Sequence, residues 1–151
     1  MLRIGLISDT HGLLRPPVLD FLRGSDHIIH AGDICSEDIL QALAAIAPLS
    51  AVRGNNDRGP WADRLPEAQT LRFEDVRLHV LHDLSGLALD PAQEGIAAVI
   101  TGHSHKPRVE QRGPVLFVNP GSAGPRRFTL PIAAGELRVD GSAVSARIVE
   151  F

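Results

Sequence analysis

Ile100-Thr-Gly-His-Ser-His-Lys106 carries an apolar strand directly into two histidines two residues apart. Side chains at i and i+2 of an extended segment project the same way. The spacing therefore predicts that His103 and His105 aim two imidazoles at one region of space. Four other stretches have the same design, a short apolar run ending in metal-ligand chemistry. They are Asp9-Thr10-His11, Gly32-Asp33, Gly54-Asn55-Asn56-Asp57 and His82-Asp83. Any one of them alone reads as a turn or a core histidine. Together with His103 and His105 they supply seven oxygen or nitrogen donors at strand ends.

The segments between these stretches predict how they are brought together. Leu2–Ser8, His27–Ala31 and Leu49–Arg53 read as strands buried on both faces. Between the first two lies a helix that Pro16-Pro17 opens and Gly24 ends; Val18, Phe21 and Leu22 form its apolar stripe. Between the second and third lies a helix capped by Ser36, with Glu37 and Asp38 in its first turn and Ile39, Leu43 and Ile46 on one face. This β-α-β-α-β order predicts a parallel sheet with right-handed crossovers. Ligands gather at the carboxyl ends of such strands, where Asp9, Asp33 and Asn55 stand.

The second half is predicted to be β-rich and mostly antiparallel. Arg58–Pro66 reads as a loop, and Gln69–Phe73 with Val76–His82 as a hairpin across Glu74-Asp75. A short helix is expected to start at Asp90-Pro91 and to end at Gly95. Ala97–Thr101, Val109–Gln111, Val115–Asn119, Thr129–Ala134, Glu136–Val139 and Ala143–Val149 follow as strands. The expectation is one α/β domain over residues 1–151, built on two sheets.

Composition narrows the function. A chain of 151 residues with 44% apolar residues can bury a real core. Its formal charge of −3 argues against a protein that grips nucleic acid along a basic face. No run reaches the roughly 18 apolar residues of a membrane span, and the N-terminus lacks a signal-peptide layout. Cys35 is the only cysteine, so no intrachain disulfide is possible. These features predict a cytoplasmic protein.

Mixed imidazole and carboxylate donors suit divalent ions such as Mn²⁺ and Fe²⁺. Two such ions about 3.5–4 Å apart can hydrolyse a phosphoester through a shared hydroxide. The donors divide naturally into Asp9, His11 and His105 for one ion and Asn55, His82 and His103 for the other, with Asp33 between them. The expected chemistry is attack of a metal-bridging hydroxide on a small or nucleotide-like phosphoester.

The ordered set Asp9-x-His11, Gly32-Asp33, Gly54-Asn55-Asn56-Asp57, His82 and Gly102-His103-Ser104-His105 resembles the calcineurin-like metallophosphoesterases. With Asn119-Pro120-Gly121-Ser122 it is most similar to their short, single-domain bacterial and archaeal phosphodiesterases, the YfcE type. The resemblance spans residues 2 to about 127. It implies an αββα sandwich of two mixed β-sheets flanked by helices, with the same ligand division and Asn55 as the asparagine ligand. It implies two divalent ions per chain, Mn²⁺ foremost, with Ni²⁺, Fe, Zn²⁺ or Mg²⁺ as alternatives. It also implies a homo-oligomer, dimer or tetramer.

Two positions depart from the family pattern. Many members carry histidine where this chain has Asn56, which donates a hydrogen bond but is no acid at pH 7. Asn56, together with Asp33, is therefore the expected catalytic pair, with slow turnover of poor leaving groups. Many members also follow the mid-chain histidine with glycine, where this chain has Asp83. Weaker candidates are Arg58, Arg126 and Arg127 for the rest of a phosphate substrate. Cys35 reads as a small buried residue, Lys106 as surface charge, and His27, His30 and His79 as structural, His30 with the further option of orienting a ligand. Rival functions are a metal-binding scaffold similar to a retromer subunit and a nuclease.

Overall fold

The computed structural model describes residues 1–151, and its chain runs β1 (Leu2–Ile7), α1 (Pro16–Leu22), β2 (His27–His30), α2 (Glu37–Ala44), β3 (Leu49–Ala51) and α3 (Pro60–Asp63). Then follow β4 (Ala68–Phe73), β5 (Val76–Leu81), β6 (Ile96–Ile100), β7 (Arg108–Arg112), β8 (Val115–Asn119), β9 (Ala133–Asp140) and β10 (Ala143–Glu150). One sheet has the order β10-β9-β1-β2-β3, the other β4-β5-β6-β8-β7. In the first, β1, β2 and β3 are parallel and β9 and β10 antiparallel. In the second, β5, β6 and β8 are parallel, with β4 and β7 as antiparallel edges.

The sheets face each other across an apolar layer. Ile4, Leu6 and Ile29 from one meet Leu78, Val80, Ala98, Ile100 and Val118 from the other. The strands alternate sides, so Ile7 and Ile28 point outward, under Val18 and Leu22 of α1 and Ile39 and Leu43 of α2. Gly5 lets α1 lie this close, since a Cβ there would stand 2.7 Å from Leu22 Cδ2 and 2.9 Å from Ser25 Oγ. The outer face of the second sheet, with Leu81, Ile96, Val99 and Val115, is covered by Leu84, Leu87 and Leu89 of a 3₁₀ turn and an extended segment, not by an α-helix. The expected two-sheet α/β sandwich is therefore present, with its α-helices packed on one side.

Four local expectations change. The Arg58–Pro66 loop contains a single helical turn, α3, because Gly59 at φ 108 and Pro60 set up its start. The helix expected at Asp90-Pro91 is only a set of turns closed by Glu94 N to Asp90 O and Ile96 N to Pro91 O; Gly95 at φ 70 diverts the chain before a second helical turn. Thr129–Ala134 is not a strand, since Phe128 at φ 54 and Pro131 interrupt it. Instead, β9 runs unbroken through Gly135, whose missing side chain leaves room for Pro120 and the backbone of Arg147. The second half is also less antiparallel than expected, because β6 lies between β5 and β8 and all three run one way.

As a result six parallel strands, three per sheet, end on the same side of the sandwich. The predicted ligand stretches follow β1, β2, β3, β5 and β6 at that seam.

Candidate metal centre

The chain turns sharply as it leaves these strands. Asp9, His11, Asp33, His103 and His105 all have positive φ, between 44° and 72°, and Cys35 lies at 67°. Left-handed backbone costs a non-glycine residue about 1–2 kcal/mol, and such strain persists only where the surroundings enforce it. Here the enforcement is visible. Asp9 N donates to Gly32 O and His11 N to Asp33 O, both at 3.0 Å, tying the first two loops together. Ser122 Oγ donates to Asp9 O. Asn119 Nδ2 donates to Gly102 O and Ser104 Oγ, holding the His103–His105 turn.

Asp57 does most of this work. Its buried carboxylate accepts four backbone N–H groups, from Ile34 and Cys35 on Oδ1 and from Asp33 and Gly54 on Oδ2, at 2.8–3.0 Å. It thereby clamps the loop after β2 to the loop after β3. Sequence reasoning placed Asp57 in the motif without a role, since nothing along the chain reveals which N–H groups an aspartate will meet.

Within this frame the side chains converge. Asp9 Oδ1 lies 3.5 Å from His105 Nε2 and 3.9 Å from both His11 Nε2 and His82 Nε2. Asp33 Oδ2 lies 3.3 Å from His82 Nε2 and 3.7 Å from His11 Nε2. Two ligand clusters overlap: Asp9, His11 and His105, and Asp9, Asp33 and His82.

His103 and His105 do not aim at one point. Both residues have left-handed rather than extended backbone, so their rings part. His105 stacks beside His11 at 5.4 Å and His103 beside His82 at 5.2 Å, centroid to centroid. His103 is half exposed; its Nε2 faces Asp83 Oδ2 at 3.7 Å, and its N–H donates to Asp9 Oδ2. Asp83 is oriented for this contact, because its Oδ1 is held by the N–H and hydroxyl of Ser85. Asn55 lies exposed on the wall of a cleft with His82 and Asp83. Asn56 binds Asp33 twice, N to Oδ1 at 2.9 Å and Nδ2 to Oδ2 at 3.0 Å.

Tautomers follow from the partners. His82 Nδ1 donates to Ala31 O at 2.8 Å, which leaves Nε2 as a bare acceptor facing the carboxylates. His30, fully buried, accepts from Gly32 N at Nδ1, so Nε2 carries the proton and donates to Thr10 Oγ1. Burial holds its pKa down to about 3, and it stays neutral. His30 thus joins the loops that carry Asp9, His11 and Asp33, the orienting option of the sequence reading. His27 and His79 bond Ser50 and Thr70 away from the site.

Charge in the cluster is finely set. Burial raises the pKa of Asp9 against the pull of His82 and His105. Burial also opposes ionisation of Asp33, but the adjoining His82 imidazole and the two hydrogen bonds from Asn56 outweigh it and hold that carboxyl far below the usual range. His82 is raised because Asp33 and Asp9 outweigh its burial, while burial lowers His105, with Arg127 adding to the effect. Burial and the carboxylates of Asp57, Asp33 and Asp9 push the Cys35 thiol up to about 11. The Cys35 sulfur lies 3.6 Å from His11 Nδ1, at an exposed position rather than the buried one expected. Arg58 and Arg126 are exposed and contact none of these donors; Arg127 reaches His105 only through its charge.

Three buried donors, Asp9 Oδ1, His11 Nε2 and His82 Nε2, have no hydrogen-bond partner. Leaving a buried polar atom unpaired costs about 1–3 kcal/mol, and here three point into one space. Imidazole nitrogen and carboxylate oxygen together match the needs of a divalent cation, so these residues fit a metal centre.

Comparison with known proteins agrees. The model of the calcineurin-like phosphoesterase superfamily domain matches residues 2–141. A probable metallophosphoesterase of Methanothermobacter thermautotrophicus is 33% identical over 158 residues, covering 97% of this chain and 91% of the relative. Among solved structures, an archaeal phosphodiesterase superposes with a TM-score of 0.82 at 22% identity, covering 98% of this chain and 100% of the other. Wild-type Vps29 of Entamoeba histolytica, solved with Zn²⁺, gives 0.79 at 21% identity, with 99% of each chain covered. On the family match and the archaeal relative, the chain belongs to the calcineurin-like phosphoesterase superfamily.

Proposed function

We propose that the protein is a dimetal phosphodiesterase. The observation that carries this reading is the set of unpaired buried donors, Asp9 Oδ1, His11 Nε2 and His82 Nε2, gathered around two carboxylates. Asp9, His11 and His105 would hold one cation and Asn55, His82 and His103 the other, with Asp33 shared. Divalent cations bound there, Mn²⁺ first among them, would activate water and neutralise phosphoryl charge. The chain's own part is orientation. Asn56 and His82 keep Asp33 ionised and fixed, Ala31 O and His30 set the loops and tautomers, and the buried Asp9 is shielded from solvent. Asn56 offers an amide N–H to a phosphoryl oxygen but no proton to a leaving group. The favoured substrates are therefore small diesters with good leaving groups.

The test is turnover of bis(p-nitrophenyl) phosphate by protein of defined metal content. Activity should rise with added Mn²⁺, and Asp33→Ala should lose both cation uptake and turnover while keeping the wild-type circular dichroism. Full activity in Asp33→Ala would refute the mechanism. The fold likeness to Vps29 supports a second reading, a metal-binding scaffold. Stoichiometric cation binding with no hydrolysis across a broad phosphoester panel would favour it.

A further inference from the structure

Two clefts flank the Asp83–His103 pair, and Asp83 lines both. One, of about 450 Å³, runs from His82 and Asn55 to Arg53 and Glu67. The other, of about 430 Å³, begins at His103 and Ser104 and runs along β7 and β8. Each is large enough for a small organic group. A phosphodiester has two arms, and a phosphate gripped at the cation cluster would direct one into each cleft.

The clefts differ in charge. In the first, Arg53 is taken up by Glu67 at 2.8 Å and Asp63 at 3.9 Å, which leaves no free cation. In the second, Lys106, Arg108 and Arg112 stand against Glu110 and Asp83. Glu110 is shared by Arg108 and Arg112, so one carboxylate serves two guanidinium groups. Lys106, the only lysine of the chain, is exposed and has no carboxylate partner. A surplus of cations gathers here on a chain whose formal charge is −3. Leu84, Phe117 and Val118 form the apolar part of the wall, and the Arg112 guanidinium lies 4.6 Å from the Phe117 ring centre. Cations around a partly apolar, partly aromatic wall suit an arm that joins a ring to a second anionic group.

We propose that the cleft along β7 and β8 is a substrate subsite for a phosphorylated organic arm, with Lys106 and Arg108 binding its second phosphate. The substrate class is then a phosphodiester carrying an additional phosphate, of nucleotide or sugar-phosphate type. This rests on the phosphodiesterase reading above and adds to it the chemistry of one arm. Lys106 and Arg108 act as specificity determinants and take no part in cation binding.

Two aryl diesters that differ by a single group test it: the p-nitrophenyl ester of thymidine 5′-monophosphate, and the same compound with a 3′-phosphate. Mn²⁺-loaded protein should show a kcat/KM about tenfold higher for the 3′-phosphorylated compound, through KM. A Lys106→Gln, Arg108→Gln variant should bring that ratio near unity and leave the unphosphorylated ester within about twofold of wild type. A wild-type ratio at or below unity, or a ratio the variant does not move, overturns the subsite. Failure of the wild type to cleave any aryl diester would instead overturn the phosphodiesterase reading. In that event, titration of metal-free protein with thymidine 3′,5′-bisphosphate decides the subsite. Amide shifts over residues 106–112 that Lys106→Gln abolishes support it, and no shifts there overturn it.

Discussion

Replacing Asp57 with asparagine keeps the volume and shape of the side chain but leaves only one oxygen. In the native site Oδ1 accepts from Ile34 and Cys35, and Oδ2 from Asp33 and Gly54. Whichever way the amide sits, two backbone N–H groups lose their acceptor and face another donor. Each buried donor left unpaired costs about 1–3 kcal/mol, so the pair should cost roughly 2–6 kcal/mol, a large part of the 5–15 kcal/mol typical of a domain. For a chain of this length 1 kcal/mol shifts Tm by about 2–4 °C, giving a drop between about 4 and about 24 °C. Thermal unfolding of metal-free protein followed by circular dichroism measures it. Asp63→Asn is the control: its side chain is 75% exposed and its only contact here is a long one to Arg53, and its Tm should hardly move. Cation affinity of Asp57→Asn should also fall, because the clamp joins the loop of Asp33 to that of Asn55. A Tm within about 1 °C of wild type would refute the reasoning that this carboxylate organises the site.

Two further outcomes follow from the geometry. Asp83→Gly removes the carboxylate that faces His103, and partners of ligand histidines commonly contribute 10–100-fold in metal affinity. Titration with Mn²⁺ should show one of two binding steps weakened by about that factor and the other unchanged, and two unaltered steps would exclude the role. The second concerns His30, whose pKa falls from 6.5 to about 3 on folding. Between those values the unfolded chain binds a proton that the folded chain does not, so its contribution to stability is complete above pH 6.5 and declines as pH falls toward 3. Urea unfolding of metal-free protein should lose up to about 1.4 kcal/mol per pH unit from this group, and His30→Gln should show a shallower dependence. Equal slopes in the two proteins would show that His30 is not held neutral.

The parallel set β1, β2 and β3 was legible because a β-α-β-α-β order places ligand chemistry after each of its strands, whereas the parallel set β5, β6 and β8 was not. The partners of β9 and β10 were not. Both return to the first sheet, β9 against β1 and β10 against β9, pairings that no local pattern specifies. At the site, the identities of Asp9, His11, Asp33, His82 and His105 could be read from spacing, and their convergence is observed. The separation of His103 from His105 could not be read, since it depends on two left-handed residues in a turn that looked extended. Asp57, Asn119 and His30 were given no definite role for a shared reason: each acts through a partner distant in sequence, backbone groups for Asp57 and Asn119 and the Thr10 hydroxyl for His30. Asn55 reads as a ligand by its position after Gly54, yet its exposed side chain is held by nothing in the protein. Asp83, beside it, is held firmly.

Candidate donors from both sheets meet at the strand ends, and no single loop carries even half of the set. A single loop of this polypeptide, or a misdocked pair of layers, would not present the whole set to a cation. Ion capture at such a site would act as a proofreading step for the finished architecture: only a correctly assembled molecule would be rivetted shut, and the binding energy would add to its durability.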